Sequence, residues 1–437
     1  MARSSASPSW SRLPIEPEAE RVRPDAGGFA DALRPRATAM LPRGAGRTYG
    51  DSAANSRGTL IETESLDRIL SFDPGSGRIV LEAGVTLAEI HRRTLPSGWV
   101  VPCCPGTAAV TVGGMIAHDV HGKNHHATGT IGLHVRSLRL LRPEGEVTCS
   151  AAAAPELFRA TIGGLGLTGL VERAELQLQR VPGALVEVTR ERHASLEGAV
   201  GALDELGPDE HGYAWVDGYS VDGDRCRAVT FRARPVAGED PGRDRPLAGP
   251  LAALGGLVPA SLFRPATVRA FNRAYQLGAA PWAERRRLRT SLRAFLFPQD
   301  DAHASNHVYG RRGVHGHHSL VPDLDTARAV LSGIRRFGPL VLVIKRFGDH
   351  PAPGMLSFTG PGLSIATGFR NEGERTLSRL AELDEVVLSS GGRLYPAKDA
   401  RMPAAAFVRS FPEARAFAKH VDPAFTSNFW RRVRPVT

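Results

Sequence analysis

The chain has 437 residues, 42% hydrophobic and 23% charged, with a formal net charge of +10. That length exceeds one ordinary core, so two or three domains are expected. No run of about 18 apolar residues could span a bilayer. The start, "MARSSASPSWSRLPIEPEAERVRPD", lacks the apolar segment of a secretory leader. No nucleic-acid motif accompanies the scattered arginines, so a cytoplasmic protein without a nucleic-acid partner is expected.

In chain order, "GRIVLEAG" (Gly77–Gly84) reads as a strand, and Thr86 with Glu89 forms a capping box for the helix that follows. Leu167–Val181 alternates polar and apolar residues as a half-buried strand should. These elements predict an α+β domain over residues 1–183. Residues 184–390 form a second unit whose early part, "PVAGEDPGRDRPLAGPLAALGG", is loop chemistry. "AERRRLRTSLR" (Ala283–Arg293) reads as a solvated helix face, or as a surface for an anionic lipid headgroup. From "HGHHSLVP" onward the order is β-α-β-β-α, ferredoxin-like in style, with Gly338 closing the first helix. A proline-punctuated segment, 391–437, ends the chain.

Four cysteines (Cys103, Cys104, Cys149, Cys226) form no CxxC pair and suit a reducing compartment. Of 55 lysines plus arginines only Lys123, Lys345, Lys398 and Lys419 are lysines, leaving 51 arginines. A lysine retained in such a sequence is a candidate for work that needs a compact, titratable amine.

Three glycine-rich turns stand out: "PRGAGRTYGDSAAN" (Pro42–Asn55), "PGTAAVTVGG" (Pro105–Gly114) and "GGLGLTG" (Gly163–Gly169). The first is not a Rossmann fingerprint, because Tyr49 takes the place of the third glycine; nor is it a Walker loop, lacking Gly-Lys-Ser/Thr. Glycine lets backbone amides approach a phosphate closely. Three such turns on one domain point to a cradle for a long dinucleotide. The second turn runs into "TVGGMIAHDVHGKNHH" (Thr111–His126), whose histidines could be metal ligands, bases or a cofactor wall. Metal ligation by His118, His121, His125 and His126 would need convergent geometry and a carboxylate, which Asp119 could supply; a cofactor wall is the better reading and no metal is expected.

"RGAGRTYGDSAAN", "PGT…VTVGGMIAHDVHGKNHH", "HVRSLRLL", "GGLGLTGLV", "GGRLYPAKDAR" and "VDP…F" occur in this order. Together they resemble the FAD-dependent oxidoreductases of the vanillyl-alcohol oxidase type, and within it the decaprenylphosphoryl-β-D-ribose 2′-oxidases. The likeness is dense over residues 42–182 and 391–432 and thin between 185 and 310. It implies a two-subdomain FAD-binding domain (PCMH type) built from both chain ends, with an inserted ferredoxin-like α+β substrate domain. It also implies FAD contacts at Gly44, Ala45, Gly46, Arg47, Thr48, Tyr49, Gly50, Asp51, Ser52, Ala53 and Ala54. Further contacts would come from Gly106, Thr111, Val112, Gly113, Gly114, His118, Asp119, Val120, His121, Val171 and Tyr395. Relatives with covalent flavin carry a histidine where Arg47 stands and a cysteine not matched in Thr107–Thr111, so non-covalent FAD is implied; Cys104 lies nearby, out of register.

Oxidising an alcohol requires a base for the hydroxyl proton and a hydride acceptor at the carbon. The resemblance makes Lys398, Lys345 and His121 the catalytic candidates. Lys123, His318, Lys345, Phe347 and Ser364 would meet the substrate. Either lysine could act as base or stay charged beside a developing alkoxide. Ser364 and Ala366 stand where the ribose oxidases have asparagine and cysteine, and Gly316 and His318 where they have two glutamines. The implied activity is oxidation of a secondary sugar hydroxyl, such as C2 of a polyprenyl-phosphoryl ribose. That would be the first half of an epimerisation finished by an NAD(P)H reductase, with peripheral contact at the inner membrane face. A soluble sugar or cyclitol is the alternative substrate, and a non-catalytic basic binding protein the alternative of another class.

Overall fold

The structure, a computed structural model, describes residues 9–13, 15–240, 265–279, 287–298, 300, 312–339 and 341–435. Its architecture is α+β. A three-stranded parallel sheet sets Thr59–Glu62 between Glu20–Val22 and Met40–Arg43. A five-stranded antiparallel sheet runs Ile69–Asp73, Arg78–Glu82, Leu170–Gln177, Val135–Arg142, Gly145–Ser150. Leu170–Gln177 alternates from Ala174 onward, burying Ala174 and Leu176, whereas Leu170 and Val171 are both buried where the register against Val135–Arg142 shifts. The expected strand breaks after Gln177, and Gln179–Arg180 pairs separately with Trp99–Val100.

The third sheet has eight strands, in the order Arg287–Ser291, Leu185–Ser195, Arg225–Val236, His211–Val216, Leu342–Phe347, Gly362–Arg370, Val314–Val321, Arg393–Leu394. Its second half shows the expected β-α-β-β-α order, through helices Leu324–Phe337 and Glu374–Ser389. Gly338 ends the first of these in the left-handed region, at φ 75°. Ahead of it, Leu185–Ser195, helix Leu196–Asp204, His211–Val216 and Arg225–Val236 make a β-α-β-β run of similar pattern. The two runs join where Ala214 faces Ile344 and Trp215 faces Val343, so one ferredoxin-like unit becomes part of a wider sheet.

Two local readings change. Thr86 caps its helix through the Glu89 amide as expected, but the Glu89 carboxylate turns to Arg92 (2.8 Å) instead of completing the box. In the arginine cluster, Arg287–Ser291 is an edge strand rather than a helix face. The side chains of Arg287 and Arg289 are exposed and flank Glu187. Ala283–Arg286 lies outside the described residues, as does most of the loop-like stretch after Asp240.

The C-terminal segment stitches the sheets together. Arg393–Leu394 pairs with Leu320 and Ser319 at the edge of the large sheet. The chain then turns through Pro396–Lys398 against the first glycine-rich loop, where Ala397 O accepts from the Tyr49 amide at 3.1 Å. A Cβ on Gly50 would stand 1.6 Å from Asp399 O, so only glycine permits that approach. Further on, Phe425 bridges to Met40 of the parallel sheet.

Behind the large sheet a buried ion cluster fixes this turn. Arg401 pairs with Asp384 on helix Glu374–Ser389, and His317 Nε2 lies 3.2 Å from the same carboxylate. Burial alone would push the Asp384 carboxyl up, but Arg401 and His317 hold it below its ordinary value. Replacing Asp384 with alanine leaves the buried Arg401 guanidinium with only the more distant Asp399 carboxylate, at 4.0 Å. That change is expected to lower stability by about 3–5 kcal/mol, read as a shift of the urea midpoint; a loss below about 1 kcal/mol would show the pair to be incidental.

Candidate functional site

The three sheets and the C-terminal turn enclose one cavity of about 470 Å³, within the size range of cofactor sites. Its floor is the glycine-rich machinery: Gly44 to Tyr49, Ser52 and Ala53, then Gly106, Thr111, Gly113 and Gly114. A Cβ on Gly44 would lie 2.1 Å from Thr111 Oγ1, so the two loops touch backbone to side chain. Thr111 caps helix Val112–Ala117 through the Gly114 amide. That helix ends at His118, which bonds Ser52 Oγ through Nε2 (3.0 Å) and Gly114 O through Nδ1 (3.1 Å).

At the other end lie His121, His318, Lys345, Tyr395 and Lys398. His121 is buried, with ring centroids of His318, Phe347, Phe358 and Tyr395 all within 5.7 Å. Tyr395 donates to His118 O (3.0 Å), joining the aromatic cluster to the first histidine. His318 Nε2 meets Ser364 Oγ at 2.7 Å. Lys398 Nζ sits 3.8 Å from the centre of the Tyr49 ring. Lys123 Nζ donates to Leu296 O (2.5 Å) between the rings of Tyr213 and Phe295.

The electrostatics follow from burial. Three of the four lysines line this cavity, and no aspartate or glutamate does among the described lining residues. Burial lowers Lys345 to about 8; burial together with the Lys345 charge lowers Lys398 and Lys123 to about 7. Burial, with Lys345 the largest of the charge effects, holds His121 and His318 well below the ordinary histidine value, so both are neutral at pH 7. The wall therefore offers poised amines and neutral imidazoles.

Most of the residues expected at the site meet here, Val120 and Val171 included. Seven do not line the cavity. Gly50 faces Asp399, and Asp51 is held by Arg432. Ala54 O accepts from the Asn428 amide, and the Val112 side chain lies in the core. Asp119, at φ 41°, accepts from the Gly132 amide and anchors the turn. Phe347 stacks under His125 at 3.7 Å, and Ser364 reaches the cavity only through His318. His125 and His126 bond Thr359 and Gly207 O. Trp10, Arg43, Tyr213 and Thr367 line the cavity without having been expected. Arg43 adjoins the first glycine turn and could have been read from it. Trp10 arrives from the N-terminal segment to pack on Tyr49 (4.4 Å), and no local pattern announces it.

An FAD binding domain profile matches residues 31–150. The chain is 33% identical over 418 residues to the decaprenylphosphoryl-beta-D-ribose oxidase of Mycolicibacterium smegmatis, covering 90% of this chain and 89% of that protein. It is 36% identical over 377 residues to an uncharacterized Streptomyces coelicolor protein, covering 80% of this chain and all of the relative. The L-gulonolactone oxidase of Mus musculus matches at 28% over 137 residues, 31% of this chain and 30% of that enzyme. The chain belongs to the decaprenylphosphoryl-ribose oxidase family of FAD-dependent oxidoreductases.

The cavity fits the FAD of this family. Gly44 and Gly113 line it with backbone alone, each packed too tightly on a neighbour, Thr111 or Ala83, to carry a Cβ. Arg47 Nε, His121 Nδ1, His318 Nδ1 and Thr367 Oγ1 are buried in its wall with no partner in the protein. Such atoms are disfavoured unless a ligand satisfies them.

The depressed lysines have a thermodynamic consequence. Lys123 titrates near 7 when folded but near 10.5 when unfolded, so between those values the unfolded chain binds more protons and stability rises with pH. The stability of the wild type relative to Lys123→Met is expected to increase from pH 7 to 10.5 and to be flat below. Melting curves across that range check it; a difference independent of pH would mean that Lys123 stays charged in the fold.

Proposed function

We propose that this FAD-dependent oxidoreductase oxidises a secondary sugar hydroxyl to a ketone, with C2 of a polyprenyl-phosphoryl ribose as the substrate. The observation that carries this reading is the carboxylate-free wall holding Lys345 and Lys398 beside His121 and His318. Bound FAD supplies the hydride acceptor. The protein's part is to hold the carbinol and manage its proton. An amine lowered to about 7 or 8 is partly neutral near pH 7 and can take the hydroxyl proton. The neighbouring amine, still protonated, offsets charge developing on the oxygen. Neutral His318, oriented by Ser364, presents its other ring nitrogen to the sugar.

The cationic wall suits a phosphoryl-linked substrate, and Arg43 and Arg47 suit the cofactor's phosphates. The relative's name supports the ribose. A ketone at C2 is half of an epimerisation, which a separate NAD(P)H-dependent reductase would complete. No described helix is long and apolar enough to cross a membrane; a lipid-linked substrate calls for peripheral contact at the inner face. The His318–Ser364 pair, with Ala366 and Gly316, favours a second reading with a soluble sugar or cyclitol, because these are positions that the resemblance assigns to the substrate pocket and that differ here from the ribose oxidases.

Non-covalent attachment follows from Arg47 and from Cys104, whose thiol burial holds up at about 12. Acid precipitation should therefore release the yellow cofactor into the supernatant, and colour in the pellet would contradict it.

Two kinetic outcomes test the chemistry. Lys398→Met should keep FAD yet lower kcat by about 10²–10⁴-fold, the usual scale of general acid–base catalysis. In the wild type kcat/KM should rise with pH through an apparent value between about 7 and 8, because the neutral amine is the active form. A rate that falls through that window would reverse the assignment.

A further inference from the structure

The geometry points to Arg432 as a positioning residue that clamps the first glycine-rich loop and the Lys398 turn into one unit. Arg432 lies on the last described helix, Asn428–Val433, away from the cavity wall. Its guanidinium makes four attachments. Nη1 and Nη2 hold the two oxygens of Asp51, the second at 3.0 Å. Nη2 also reaches Asp399 Oδ2 at 3.3 Å, and Nε donates to Met402 O at 3.0 Å. Asp51 lies within the loop Gly44–Ala54, and Asp399 directly follows Lys398.

The Asp399 carboxylate is committed to backbone as well. Asp399 Oδ2 accepts from the amides of Arg401 (2.9 Å) and Met402 (2.7 Å), which fixes the chain just after the lysine. The Asp51 amide donates to Asp399 O at 3.3 Å, and those of Tyr49 and Gly50 donate to Ala397 O. The lysine turn and the loop thus share three backbone bonds, but a short turn on a loop has little stiffness of its own. One planar cation chelating a buried carboxylate on each side supplies it. Burial pushes the Asp51 carboxyl above its ordinary value, the nearby Asp399 adds to the push, and Arg432 is the cation that opposes both. The last helix is pinned in turn, since Arg431 Nη2 bonds Asn55 Oδ1 (2.5 Å) and Asn428 Nδ2 bonds Ser56 Oγ (2.8 Å). Without the clamp, Tyr49 and Lys398, now stacked at 3.8 Å, lose their common frame.

The inference rests, for its catalytic half, on the reading of Lys398 given above; its cofactor half does not. The test uses the full chain. Apoprotein of wild type, Arg432→Gln and Arg432→Lys is titrated with FAD by fluorescence. The apparent dissociation constant should rise about 10-fold or more in Arg432→Gln, the scale of a lost charge-assisted bond, and partly recover in Arg432→Lys. With a turned-over sugar, kcat should fall about 10–100-fold with KM nearly unchanged, as for a misplaced catalytic group. In a Lys398→Met background the same substitution should have no further effect on kcat, because its route to the chemistry is gone. If Arg432→Gln does not fold, Arg432→Lys, which keeps the charge but loses the fork, is expected to shift both quantities in the same directions by less. Unchanged FAD affinity in a folded Arg432 variant overturns the clamp. A kcat loss of equal size with and without Lys398 overturns its action through that lysine, whatever the substrate proves to be.

Discussion

Lysines buried in a cavity wall that has no carboxylate among its described residues set the terms for everything around them. Desolvation lowers their affinity for protons, and with no acid to counter it they stay poised near neutrality. Such groups persist only where the surrounding fold over-determines their positions, because each is destabilising by itself. The extensive stitching of the C-terminal segment follows from this constraint. Arg393–Leu394 on the large sheet and Ala397 and Asp399 under the glycine loop fix the Lys398 turn, and Phe425 beside Met40 ties the segment after it to the parallel sheet.

The same constraint explains how the charges are sorted. Three acidic residues near the site are kept behind the wall, paired with arginine: Asp384 with Arg401, Asp51 and Asp399 with Arg432. Among the described lining residues the charged side chains are lysine and arginine, set beside neutral imidazoles, and a chain of +10 has ample arginine for the other positions. The anionic cofactor finds the field it needs, and the proposed phosphoryl-bearing substrate would find it too, while the amines keep the freedom to release a proton.

Much of this was legible in the sequence, for identifiable reasons. The glycine turns, the histidine stretch and "YPAKDAR" are local features whose chemistry lies within a few residues, and they meet at one cavity. The scarcity of lysine was informative too, since three of the four face the site. Contacts between distant residues were not legible. Arg432 and Asp51 are 381 positions apart, and nothing near either marks the pairing. The joining of Ala214 to Ile344, which widens a ferredoxin-like unit into an eight-stranded sheet, is equally non-local. Trp10 and Tyr213 enter the wall through tertiary packing alone. Phe347 and Ser364 were expected to face the substrate, but the stacking on His125 and the bond to His318 place them one layer back.

The most direct measurement is anaerobic mixing of the FAD-loaded protein with polyprenyl-phosphoryl ribose, protiated or deuterated at C2, while the flavin absorbance is followed. The account predicts bleaching that slows markedly with deuterium at C2 and is nearly abolished in Lys398→Met. Bleaching that is insensitive to the label, or that survives unchanged without the Lys398 amine, would contradict it.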